Sequence, residues 1–182
     1  MKLSSKETSL LIIDMQKDFC YEKGVLYVPG AKKIIPNIKR LLEKAKAKKV
    51  SVVFTQDWHK PDDAEFAVWP RHCVEDTEGA EIIDELKTDA FVVKKRKYTA
   101  FFGTDLDSYL REHDIRSLII TGVVTNICVM HTASDAVLHG YGVIVPKDCV
   151  AALSEYDQEY ALKHITFSFK GKIVDSDSIR FE

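Results

Sequence analysis

SLIITGVVTNICVMHTASDAVLHG, residues 117–140, runs from an apolar stretch through a glycine and a polar turn into a helical pattern. Ser117–Thr121 is apolar and partly β-branched, which suits a buried strand, and Gly122 ends it. Thr125–His139 predicts a helix with Thr125 as N-cap and Gly140 as its stop. A strand followed closely by a helix is the repeating unit of a parallel α/β sheet.

The same alternation continues on both sides. Upstream, Ser9–Ile13 reads as a strand, and Ala31–Lys48 as a helix with Ile34, Ile35, Ile38, Leu41, Leu42 and Ala45 at helical spacing. Val50–Thr55 is a second strand, followed by a long loop rich in Asp, Pro and His. Ala80–Leu86 holds one or two helical turns, Ala90–Val93 a third strand, and Thr104–His113 a helix with Thr104 as N-cap. Downstream come a strand at Gly142–Val145, a helix at Ser154–Phe169 capped by Ser154 and ended near Gly171, and a short strand at Lys172–Val174. The expected fold is α/β: one three-layer domain over residues 1–182, with a parallel six-stranded sheet and helices on both faces.

Bulk properties narrow the function. A net charge of -2 argues against an electrostatic nucleic-acid binder. No apolar run approaches a transmembrane span, and Leu10–Ile13 is too short for a signal peptide and ends on Asp14. A cytoplasmic protein acting on a small molecule, without nucleic acid or membrane, is expected. Neither GxGxxG nor GxxxxGK[ST] occurs, so nucleotide binding has little support. Cys20, Cys73, Cys128 and Cys149 form no CxxC pair and read as reduced thiols, most of them small buried hydrophobes.

Open parallel sheets bind ligands beyond the carboxyl ends of their strands. Those ends carry Asp14, Asp57 with His59, Lys94 with Lys95, and Thr125 to Cys128. Cys128 falls in the first turn of its helix, where free N–H groups and the positive helix end favour a thiolate and can hold an oxyanion. The ordinary alternative is a core cysteine packed with Ala133 and Ala136. A nucleophilic thiol needs a base, and Asp14 and Lys95 are near at hand. Asp14 could instead cap a turn. The basic run Lys94 to Lys97 would ordinarily be solvated, unless one cation turns inward to hold Asp14 and the thiolate. In the loop, Asp57 and His59 alternate and so can share a cavity, and His72 returns after Trp69 and Pro70. Carboxylates and imidazoles suit zinc, iron or manganese.

These residues sit in long, ordered motifs: LLIIDMQKDF, TQDWH, WPRHCV, VVKKRKYTAFFGTDLD, TGVVTNICVMHTASDA and PKDCVAAL. Together they resemble the isochorismatase-like cysteine hydrolases, most closely the nicotinamidases. The resemblance implies a catalytic Asp14, Lys95 and Cys128. It implies a cis Val123–Val124 peptide, with the N–H groups of Val124 and Cys128 as oxyanion hole. It implies Phe19 and Trp69 around the substrate ring, and a divalent metal, foremost zinc, on Asp57, His59 and His72. Many nicotinamidases carry a second His four residues after the first, where this chain has Asp63. Other members place a Glu seven residues before the last His, and Glu65 fits that spacing, which makes it the fourth candidate ahead of Asp63. Val124 stands where Ala is usual and is expected to narrow the pocket.

The implied activity is cysteine-dependent hydrolysis of a small amide, nicotinamide first, by a homo-oligomer. The rivals are hydrolysis of a ureido or carbamoyl amide and, from another class, a non-catalytic metal- or ligand-binding module.

Overall fold

The computed structural model describes all residues, Met1–Glu182. Its strands are β1 (Lys2–Leu3), β2 (Thr8–Ile13), β3 (Ser51–Asp57), β4 (Phe91–Lys95), β5 (Ser117–Val123), β6 (Gly142–Pro146), β7 (Val150–Ala151), β8 (Lys172–Val174) and β9 (Arg180–Phe181). Its α-helices are α1 (Lys17–Cys20), α2 (Ala31–Ala47), α3 (Leu106–Glu112), α4 (Met130–Leu138) and α5 (Glu155–Phe169). The main sheet has the order β4-β3-β2-β5-β6-β8, and every pair is parallel. The six-stranded parallel sheet expected from the alternation is present.

β2 lies at the centre and is buried along its whole length. Side chains alternate across a strand. Leu10 and Ile12 therefore pack with Ile38 and Leu41 of α2 on one face. Leu11 and Ile13 pack with Leu110 of α3, Ala133 of α4 and Ile165 of α5 on the other. Burying each such side chain contributes about 1.5–3 kcal/mol. Helices thus cover both faces and leave the carboxyl ends of the strands open.

β5 runs tightly against β2. Gly122 has φ 105°, and a Cβ there would stand 2.0 Å from the Ile13 carbonyl oxygen. Only glycine permits that approach.

Several boundaries differ from the sequence reading. β3 continues past Thr55 to Asp57, and β4 past Val93 to Lys95, so both functional candidates end a strand. Ala80–Leu86 resolves into two short 3-10 turns, Glu78–Ala80 and Asp84–Leu86. The expected Thr104 helix begins at Leu106, although Thr104 Oγ1 still accepts the Leu106 N–H at 3.3 Å. Ser154 caps α5 as expected, accepting the Asp157 N–H. Thr125 does not cap its helix: its hydroxyl donates to Gln158 Oε1 at 2.7 Å, and Thr125–Val129 is a π-helical turn. Two features were not foreseen. β7 pairs with the end of β5, and β1 pairs with β9 in a separate two-stranded ribbon that ties the chain ends together. No helix is long and apolar enough to cross a membrane.

Candidate active site

The ends of β2, β4 and β5 bring Asp14, Lys95 and Cys128 together in the interior. Asp14 follows β2 with φ 48°, a backbone region where Asp is better tolerated than most residues. Lys95 ends β4, in register beside Asp57 of β3. Alternation sends Lys95 inward, 1% exposed, while Lys94 turns outward over the Trp58 ring. That settles which lysine of the run reaches the interior. Lys95 Nζ lies 2.8 Å from Asp14 Oδ2 and 3.6 Å from Cys128 Sγ, and it also bonds Asp57 Oδ1. Oxygens of Asp14 and Asp57 and the Cys128 sulfur all fall within 4.8 Å of one another.

The electrostatics give these groups different protonation tendencies. Burial pushes the Asp14 carboxyl up to about 6, against the pull of the Lys95 cation. Burial would also raise Asp57, but the Lys95 cation, with the His59 and His72 rings beside the carboxylate, outweighs it and holds Asp57 below the usual carboxylate range. Burial pushes the Cys128 thiol well up, with Lys95 opposing. Burial thus works against the thiolate that the helix terminus is expected to favour. Asp14 stands beside the sulfur. Its Oδ1 accepts from Thr55 Oγ1 at 2.5 Å, while its buried Oδ2, though paired with Lys95 in charge, has no hydrogen bond of good geometry. The other three cysteines are buried too. Cys20 touches the Met15 sulfur at 3.9 Å and fits the reading of a small hydrophobe.

Beside this trio, Asp57, His59 and His72 converge. Asp57 Oδ2 stands 3.8 Å from both His59 Nε2 and His72 Nε2, and Glu65 Oε1 is 3.9 Å from His59 Nε2. His72 Nδ1 faces the Pro70 carbonyl at 2.7 Å, so it carries the proton and leaves Nε2 as a lone pair. His59 Nε2 is buried with no hydrogen-bond partner. Two imidazole nitrogens, one of them without a hydrogen-bond partner, and the Asp57 carboxylate lie within 4.8 Å of one another, a donor set that fits a divalent cation such as zinc, with Glu65 approaching from the His59 side. Asp63 is not in this set. Its carboxylate turns to the outer side of His59, 3.2 Å from Nδ1. Of the two alternatives for a fourth position, only Glu65 faces the centre.

Both groups open into one cavity of about 210 Å³. Phe19, Trp69, Tyr98, Val124, Ile127 and Leu153 supply much of its apolar wall, and Asp57, Glu65, His72 and Cys128 its polar floor. No lysine or arginine lines it. The Val123–Val124 peptide is cis.

Three supporting residues escaped the sequence reading. Gln16 clamps Asp57 by accepting its N–H at 2.8 Å and donating to its carbonyl at 2.9 Å. Thr55 holds Asp14, and Tyr98 accepts the Trp69 indole N–H at 3.0 Å. The signal for Gln16 and Thr55 was a polar residue beside or inside an apolar strand, aligned with a candidate acid. Tyr98 carried no such signal.

Comparison with known proteins places this geometry. The family described as Isochorismatase domain matches residues 8–178. A crystal structure of the pyrazinamidase of Pyrococcus horikoshii in complex with zinc superimposes with TM-score 0.88 at 38% identity, covering 93% of this chain and 99% of that one. The nicotinamidase of Escherichia coli (strain K12) is 31% identical over 196 residues, 90% of this chain and 92% of its own length. The ureidoacrylate amidohydrolase RutB of Serratia proteamaculans (strain 568) is 29% identical over 202 residues, 95% of this chain and 81% of its own length.

Proposed function

The chain belongs to the isochorismatase family, and from that premise we propose that it is a zinc-dependent nicotinamidase, converting nicotinamide to nicotinate and ammonia through a thioester on Cys128. The observation that carries the reading is the shared cavity: a buried Asp–Lys–Cys group beside a cation cradle, under apolar walls that hold no basic residue. An uncharged ring amide matches those walls. A ureido acid such as ureidoacrylate would bring a carboxylate that meets no lysine or arginine of the lining and would have to take the place of a ring nitrogen at the metal.

The proposed chemistry starts with Asp14 taking the Cys128 proton, while Lys95 steadies the carboxylate before the transfer and the thiolate after it. The sulfur attacks the amide carbonyl carbon. The N–H groups of Val124 and Cys128 hold the resulting oxyanion. Asp14 returns the proton to the leaving nitrogen, and ammonia departs, leaving the acyl group on sulfur. Asp14 then draws a proton from water, which hydrolyses the thioester and frees the thiol. Phe19 and Trp69 flank the ring. Asp57, His59, His72 and Glu65 would hold the metal, which when bound supplies a coordination point for the ring nitrogen, directly or through water.

The test is ammonia release from nicotinamide, pyrazinamide and ureidoacrylate, with metal analysis on the same sample. Turnover of the two ring amides with zinc bound is expected. Turnover of ureidoacrylate with the ring amides inert, or ring-amide turnover untouched by removal of the metal, would overturn the substrate reading.

A further inference from the structure

We propose that Asp63 and Arg96 form a positioning clasp that fixes the His59 ring with Nε2 facing the metal centre, so that metal affinity depends on two residues that do not touch the ion. The proposal rests on the metal site described under Proposed function.

The two imidazoles of that site are held in different ways. His72 Nδ1 donates to a backbone carbonyl, that of Pro70. His59 Nδ1 instead faces a side chain, Asp63 Oδ2, at 3.2 Å. Asp63 stands four residues after His59, and its side chain is 1% exposed. A carboxylate can only accept, so His59 Nδ1 must carry the proton. A neutral ring then has its lone pair on Nε2, the buried atom left without a hydrogen-bond partner beside Asp57 and Glu65.

Arg96 completes the arrangement. Its Nε and one terminal nitrogen each lie 2.8 Å from Asp63 Oδ2. A buried carboxylate needs a compensating charge, and the guanidinium supplies it from the side away from the metal centre. Arg96 follows Lys95 directly, so the clasp ties the loop bearing His59 to the strand bearing Lys95. Asp63 Oδ1 also accepts the Glu65 N–H at 3.1 Å, and Phe66 in the same turn packs edge-on to His59 with ring centroids 5.5 Å apart. One carboxylate therefore sets the direction of His59 and anchors the turn that presents Glu65. An outer partner of a ligating imidazole, when removed, typically costs about 10–100-fold in metal affinity.

Zinc affinity should be measured on chelator-treated protein by competition with a chromophoric chelator, for wild type, Asp63→Ala, Arg96→Met and Arg96→Lys. The cobalt-loaded absorption spectrum should be recorded for each, with the rate of thiol alkylation in the metal-free state as a control. We expect zinc binding to weaken about 10–100-fold in Asp63→Ala and by less in Arg96→Met, with partial rescue in Arg96→Lys. The cobalt spectrum should change in Asp63→Ala, and the alkylation rate should stay at the wild-type value. Wild-type zinc affinity in Asp63→Ala overturns the clasp. Should that variant fail to fold, Arg96→Met decides, since Arg96 is half exposed, and unchanged affinity there overturns it equally. A wild type that binds no zinc overturns the metal site and the clasp together. A wild type that binds zinc, with variants that match it, overturns the clasp alone.

Discussion

The two halves of the site share Asp57 but are built from different material. Asp14, Lys95 and Cys128 hang from strand ends and the turn after β5, so the register of the sheet sets their positions. His59, Glu65 and His72 come from the stretch between β3 and β4, which holds short 3-10 turns and a single β-bridge between His59 and Val74. Their geometry depends on clasps: Pro70 on one imidazole, Asp63 with Arg96 on the other, and Gln16 on Asp57. The difference suggests a division of labour. On the proposed mechanism, bond breaking sits on the rigid frame, where small displacements are costly. Ring recognition would then sit on a loop, where residues can change without disturbing the sheet. Asp57 is the joint, with one oxygen toward Lys95 and the other toward the two histidines.

This division can be broken from either side. Cys128→Ala removes the frame's nucleophile and should lower nicotinamide turnover by at least about 10³-fold in an ammonia assay. Zinc affinity in that variant should not change, and a parallel loss would show that the halves are not separable. Lys95→Met strikes the joint. It leaves Asp14 and Asp57 buried without their cation, and should reduce the free energy of unfolding by about 3–5 kcal/mol in urea denaturation. His72→Ala strikes the loop alone. It should raise KM by at least about tenfold through lost metal, while the alkylation rate of Cys128 stays near wild type.

The smallest expected effect concerns pH. Asp14 acts as base only when ionised, and its carboxyl is raised to about 6. The ratio kcat/KM should therefore fall as pH drops through about 6. Thr55 donates a hydrogen bond that favours the ionised form. Thr55→Val should raise the Asp14 pKa further and move the acid limb to higher pH, with little effect on zinc affinity. An unmoved limb would separate Asp14 from the titration.

What was legible in the sequence follows the same division. Asp14 could be placed because an apolar strand ends just before it, and Cys128 because it opens the helical pattern after another strand, and the sheet alternation was plain from the apolar patterning. Lys95 could not be told from Lys94 by pattern, because the strand looked finished at Val93. Only its pairing with Asp57 carries it to Lys95. Thr125 looked like an N-cap, but a distant partner, Gln158, takes its hydroxyl. The opposing effect of burial on Cys128 was hidden for a similar reason: the helix end is local and readable, whereas burial comes from the whole fold. Asp63 read as a fourth-ligand candidate behind Glu65, and its place on the outer side of His59 did not show because its partner, Arg96, lies 33 residues away. β1 and β9 are two residues each, too short for any period to show, and they meet only when the chain ends meet.

The central claim is a covalent route through Cys128, and hydroxylamine tests it most directly. A thioester is open to attack by an added amine nucleophile as well as by water. Turnover of nicotinamide in the presence of hydroxylamine should yield nicotinohydroxamate at the expense of nicotinate, and the product ratio should follow hydroxylamine concentration. Nicotinate as the sole product at every concentration, with ammonia still released, would contradict the thioester.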